Sequence, residues 1–170
     1  LTDEYISKMD WVRWLHNVEN PNLNVRNIVC DEESKNLILE DLYRTLSVRE
    51  NITAGNRDAG FADQYVVFIT NTASISTHPV SKYFKNCAKY GFTFVFFEEY
   101  EEFLPQGCTE IIRIQDAKSG SILKAEYGDD ISEFSFPIIS DETAEKVAQR
   151  LGAISVDEVS LEGELTKNIT

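Results

Sequence analysis

Basic residues are the scarce charge in this chain, with 16 Lys and Arg against 29 Asp and Glu and a formal net charge of -13. No run of Lys or Arg offsets that field locally, which argues against binding to a nucleic-acid backbone or an anionic lipid surface. No apolar run reaches the roughly 18 residues of a membrane span, and no basic start with an apolar middle marks a signal peptide. Glycine is thin and never closely spaced. A phosphate loop needs such glycines, with a Lys and a Ser or Thr to meet phosphate and magnesium; instead the first predicted strand runs into Asp31, Glu32, Glu33, Ser34 and Lys35. Those carboxylates repel a phosphate. Gly-x-Gly-x-x-Gly is absent too, and the central strand ends in Thr70 and Asn71 where an ATPase places acidic residues. Cys30, Cys87 and Cys108 sit in apolar contexts without ligand spacing, which reads as reduced core thiols of a cytoplasmic compartment. His16 and His78 lie in separate elements, so no metal site is expected. A Cys87–His78 nucleophile pair is disfavoured because Cys87 falls on an apolar helix face. The acidic pairs within Glu98–Glu102 and at Asp129–Asp130 read as solvated surface, with a face for a basic protein partner as the alternative.

What is present begins with Gln64 to Phe97, which reads strand, turn, helix, strand. Tyr65 to Ile69 is too short for a helix but suits a buried parallel strand. Val80, Tyr83, Phe84, Cys87 and Ala88 recur at helical spacing, Gly91 offers a C-cap, and Phe92 to Phe97 is a second apolar strand. Such a β-α-β crossover requires helices over a parallel sheet. At 170 residues the chain fits one domain, able to bury roughly two thirds of its extended surface.

Along the rest of the chain, Thr2 to Asn17 is expected to be helical, with Trp11 and Trp14 either plugging one side of the sheet or meeting a neighbouring domain. A turn around Pro21 leads to a first strand, Val25 to Cys30. Asp31 caps a helix reaching about Glu50 with a stripe of Ile38, Leu42 and Leu46. Asn51 to Asp63 reads as a loop. Glu98 to Pro105 carries one or two helical turns, and Cys108 to Ile114 is a strand. A turn at Ser119, Gly120 and Ser121 precedes a segment Ile122 to Tyr127 that ends at Gly128, Asp129 and Asp130. Ile131 to Phe136 suits a half-exposed strand, and Ser140 caps a last helix closed by Gly152. The fold class expected is α/β, with a mostly parallel central sheet, an antiparallel edge and helices on both faces as three layers. Residues 1–153 form the domain and residues 154–170 a linker. A start at Leu1 and a polar tail predict a segment of a longer polypeptide.

In this order, Asp10-Trp-Val-Arg-Trp-Leu-His16, Asp31-Glu-Glu-Ser34, Leu42-Tyr43, Arg49-Glu50, Tyr65 to Ile69, Ser76-Thr-His-Pro-Val80, Tyr90-Gly91 to Phe96, Leu104-Pro-Gln-Gly-Cys108 and the Ala144 to Leu151 helix resemble a region of the type VII secretion membrane ATPases. These are the EssC and EccC proteins, relatives of the FtsK/SpoIIIE motors. The likeness covers nearly the whole chain and matches the cytoplasmic region between the transmembrane segments and the first recognisable ATPase domain. It implies a degenerate P-loop ATPase-like fold without catalytic loops, on the cytoplasmic side of the bacterial cell membrane. ATP and magnesium are then used by later domains, while this segment holds no cofactor and no residue matching a Walker motif. Implied partners are the adjacent ATPase domains, other secretion components or helical-hairpin substrates, with no direct membrane insertion. Trp11, Trp14, His78 and Pro79 are the candidate protein contacts. The resulting reading is a non-catalytic module coupling the membrane stalk to the motor; the rivals are a degenerate domain that still binds ATP and a recognition module for substrates or an adaptor.

Overall fold

A computed structural model describes residues 8–20, 23, 25–29, 31–124 and 131–154. Within them the chain divides into two compact units, residues 27–138 and residues 8–26 with 139–154. The fold is α/β, with parallel and antiparallel strands and, among the described residues, the two α-helices given below.

The larger unit is built around α1, Glu32–Gly55. The Ser34 amide donates to Asp31 Oδ1 at 2.7 Å and Ser34 Oγ accepts from the Asp31 amide at 3.3 Å, a reciprocal cap that satisfies amides with no intrahelical partner. The helix continues past Glu50, so part of the expected loop is helical. Its buried face is Ile38, Leu39, Leu46 and Arg49, with Leu42 and Tyr43 half-buried against the same core.

Two strands, β3 (Tyr65–Ile69) and β4 (Phe92–Phe96), pair in parallel with Tyr65 opposite Phe92 and Ile69 opposite Phe96. They coincide with the predicted strands to within one residue. The crossover between them is two 3-10 turns, Pro79–Tyr83 and Cys87–Tyr90, where one α-helix is expected. The reason is local: Asn86 at φ 64 is left-handed, and one such residue breaks an α-helical ladder. Gly91, at φ 72, does cap the second turn, its amide donating to the Ala88 carbonyl at 2.9 Å. Leu39, Leu46, Ile69, Ile75, Val80, Tyr83, Tyr90 and Phe92 close the core between α1, the crossover and the inner face of β3 and β4.

Among the described residues the expected mostly parallel sheet is therefore one parallel pair. Most of the remaining strand belongs to an antiparallel meander, β5 (Glu110–Ile114), β6 (Ser119–Lys124) and β7 (Ile131–Ser135). Its first turn lies at Gln115–Lys118 rather than Ser119–Ser121, because Asp116 Oδ1 accepts from the Lys118 and Ser119 amides at 2.7 and 2.8 Å. Those bonds hold the Asp116 carboxyl below its ordinary pKa, the Lys118 amide contributing most. Gly120 sits within β6, opposite Phe134, and a Cβ there would stand 2.8 Å from both the Arg113 carbonyl and the Phe134 ring. The glycine is what lets that ring lie across the strand.

In the smaller unit the described part of the expected N-terminal helix, from Asp10 on, is two 3-10 turns, Asp10–Trp14 and His16–Val18, separated by Leu15 in an extended conformation. The strand expected at Val25–Cys30 is shorter and antiparallel: β1 (Glu19–Asn20) pairs with β2 (Val25–Arg26), across a turn in which the Leu23 amide donates to Asn20 Oδ1 at 3.2 Å. The last helix, α2 (Asp141–Gly152), begins at the predicted Ser140 cap, whose Oγ accepts from the Thr143 amide. Gly152 lets the Trp14 carbonyl approach the helix end more closely than any side chain allows. Residues 2–7 of the expected first helix, Pro21, Cys30, the segment end at Gly128–Asp130 and the linker beyond residue 154 lie outside the described residues.

Candidate docking surface

Strand alternation sends Tyr65, Val67 and Ile69 inward and Val66 and Phe68 outward, and the parallel register sets Thr93 and Val95 beside the outward pair. On the inner face Tyr65 stacks on Phe92 at 4.6 Å, and Phe84 meets Phe94 and Phe96 edge-on at 5.0 and 4.9 Å. Among the described residues the outer face has no such cover. Val66 is 56 % exposed, Phe68 57 % and Phe97 43 %, and the Phe68 and Phe97 rings lie 6.1 Å apart. Phe97 continues that face because its amide still donates to the Ile69 carbonyl, at 2.9 Å. Parallel strands are almost always covered on both faces. Among the described residues of this unit helices cover one face, so two layers stand where three are expected.

An acidic rim follows at the C-terminal ends of these strands. Glu98 Oε1 accepts from the Thr72 amide at 3.2 Å, and Glu101 pairs with Arg113 at 2.8 Å. Glu99 is exposed, as is Glu102, and the aromatic rings of Tyr100 and Phe103 meet edge-on in solvent at 5.8 Å. The Thr72 hydroxyl is buried without a hydrogen-bond partner among the described residues.

Beneath the inner face, Arg49 is 7 % exposed. Its Nη1 donates to the Tyr90 carbonyl at 2.8 Å and the Asp63 carbonyl at 2.9 Å, while the guanidinium lies 4.6 to 5.5 Å from the rings of Phe61, Tyr65 and Phe92. It thereby ties α1 to the start of β3 and the end of the crossover. Nearby, Tyr83 Oη donates to Glu50 Oε2 at 2.7 Å and Lys82 Nζ to the same oxygen at 3.2 Å, which holds the Glu50 carboxyl below its ordinary pKa, the tyrosine contributing most.

The four residues expected to make protein contacts fall in two groups. Trp11 is half-buried and Trp14 is 42 % exposed with the Arg13 guanidinium 5.3 Å from its ring; both belong to the smaller unit. His78 and Pro79 belong to the larger one. His78 Nδ1 accepts from the Val80 amide at 3.2 Å, and its ring stands edge-on to Tyr43, so this histidine starts the crossover turn. Pro79 is exposed beside it. Sequence reasoning missed Val66, Phe68 and Phe97, because an apolar run does not reveal which of its two faces is left bare. Arg49 was not singled out either; the one local signal for it is its place three residues after Leu46 on the same helical face.

No catalytic constellation appears among the described residues. No group of three or more His, Cys, Asp and Glu residues is placed to hold a metal ion, and no described helix is long and apolar enough to cross a membrane. Partial burial pushes the Cys108 thiol above its ordinary pKa, the opposite of what an activated thiolate needs.

The fold thus defines an α/β module with a helix-covered inner face, a bare apolar outer face and no phosphate loop. In sequence it is similar to the type VII secretion system protein EssC of Staphylococcus aureus (strain NCTC 8325 / PS 47), 26 % identical over 155 residues that cover 88 % of this chain and 10 % of that protein. It is also similar to the ESX secretion system protein YukB of Bacillus subtilis (strain 168), 23 % identical over 122 residues that cover 71 % of this chain and 8 % of that protein. The chain spans about a tenth of the length of these curated relatives. No protein-family model matches it, and no solved structure does.

Proposed function

We propose that this chain is a non-catalytic module of a type VII secretion ATPase, coupling the membrane-proximal part of a longer polypeptide to its motor domains. The observation that carries the reading is the bare outer face of β3 and β4, where Val66, Phe68 and Phe97 keep about half their surface in water. An exposed apolar patch of a few hundred Å² rimmed by polar groups is often functional. Similarity to EssC and YukB, each roughly ten times longer than the matched stretch, supports an adjacent domain of the same polypeptide as what that contact serves. Residues 1–153 act as one module and 154–170 as its linker, on the cytoplasmic side of the membrane. The degenerate ATPase-like origin belongs to the same reading: the parallel pair and its crossover remain, while α1 begins with Asp31, Glu32 and Glu33 at the position where a phosphate would otherwise sit. Trp14 and the His78–Pro79 turn are secondary contacts.

The test is ATP turnover by the full-length protein carrying Phe68→Glu, with calorimetric titration of ATP into residues 1–170. Altered turnover, or an altered response to secretion substrate, together with no ATP binding by the module, is the expected result. Unchanged turnover overturns the coupling role. Saturable ATP binding returns the module to the nucleotide-binding class.

A further inference from the structure

The outer face of β3 and β4 also specifies the chemistry of what covers it. Val66, Phe68 and Phe97 together expose roughly 300 Å² of apolar surface, taking 150–250 Å² for a whole aromatic side chain. A stable interface between separate proteins buries about 800 Å² on each side, so a second copy of this chain is poorly suited to the patch. One helix is the right size. Helices are also what packs on the faces of parallel strands, laying an apolar stripe along the sheet.

The rim supplies the charge. Glu99 and Glu102 have no ion pair among the described residues, and Glu98 receives only the Thr72 amide. A helix seated on Phe68 and Phe97 brings one end to these carboxylates, and Lys or Arg there gains their attraction without displacing an existing cation. The footprint is small for a free ligand but sufficient for a tethered one, because a linker raises the effective concentration into the millimolar range.

We infer that the outer face of β3 and β4 receives an amphipathic helix with an apolar stripe and Lys or Arg at the end facing Glu98, Glu99 and Glu102, supplied by the same polypeptide from outside residues 1–170. The inference rests on the coupling reading for the existence of that longer polypeptide, about nine-tenths of which, in EssC, lies beyond the matched region.

The experiment is photo-crosslinking of the full-length protein in its membrane, with p-benzoylphenylalanine placed at position 68 and, separately, at position 66 with Phe68 retained. The adduct is sized on a gel and its peptides sequenced by mass spectrometry. The expected product has the mass of one polypeptide and joins the probe to a basic amphipathic segment outside residues 1–170. Combined Glu99→Lys and Glu102→Lys lowers its yield by about fivefold or more. A product of twice the mass, a separate secreted protein, a lipid adduct, crosslinks confined to residues 1–170, or no crosslink from either position overturns the inference. The outcomes separate the two readings. Phe68→Glu altering ATP turnover while the probe captures a separate protein leaves coupling standing and removes the helix; a captured helix with unchanged turnover does the reverse.

Discussion

Replacing Arg49 by Met tests whether the buried guanidinium holds the larger unit together. Met keeps the length and much of the contact with Phe61, Tyr65 and Phe92 but removes both hydrogen bonds, to the Tyr90 carbonyl at 2.8 Å and the Asp63 carbonyl at 2.9 Å. Bonds to charged groups contribute about 1.5–3 kcal/mol each, and a carbonyl left unpaired in the interior adds its own desolvation cost. The Tyr90 bond is buried whereas the Asp63 bond is partly open to water, so the low end of the range applies and the expected loss is about 3 kcal/mol. For a chain of this size that corresponds to roughly 6–12 °C in Tm. The assay is urea unfolding followed by far-UV circular dichroism, which reports mainly α1, with the slope against denaturant unchanged. Arg49→Lys should fall between the wild type and Arg49→Met, because an ammonium keeps the charge but does not reproduce the planar fork above three rings. A loss below about 1 kcal/mol for Met, or Lys indistinguishable from Arg, would refute the clamp.

Gly91→Ala is expected to lower stability by about 2 kcal/mol, combining left-handed strain with a Cβ placed 2.7 Å from Arg49 Nη1. In the double mutant with Arg49→Met the two losses should sum to less than their total, since the clash then has a more yielding partner. Gly120→Val should destabilise the meander by about 2 kcal/mol or more and raise amide exchange across β5, β6 and β7, the obstruction being the Arg113 carbonyl and the Phe134 ring. The Asp31 carboxyl is held below its ordinary pKa by the Ser34 amide first, so its contribution is present above the unfolded value of about 3.9 and fades as pH falls through the folded one. Asp31→Asn should therefore leave a shallower acid limb in a Tm-against-pH curve below about pH 4. Glu50 follows the same sign for a different cause, the Tyr83 hydroxyl, and Tyr83→Phe should flatten the limb below about pH 4.3.

The α/β class and the crossover were legible because they rest on short-range signals. Tyr65–Ile69 and Phe92–Phe96 are runs too short for helices, Asp31 and Ser140 are caps read from their own neighbours, and Gly91 marks a helix end. The missing phosphate loop was legible for the same reason, since it depends on residues adjacent in the chain. Asn86 and Leu15 show where that reading stops: a left-handed or extended residue inside an apolar, helix-spaced stretch replaces one helix by two short turns. Only the tertiary structure decided which side of β3 and β4 faces the core and which faces water. Alternation fixes that Val66 and Phe68 share a face, but whether anything covers it depends on where residues distant in sequence pack. Arg49 is buried for the same kind of reason. Its carbonyl and ring partners come from segments up to 43 positions away, as with Phe92, and no local pattern encodes a contact that only the closed fold creates.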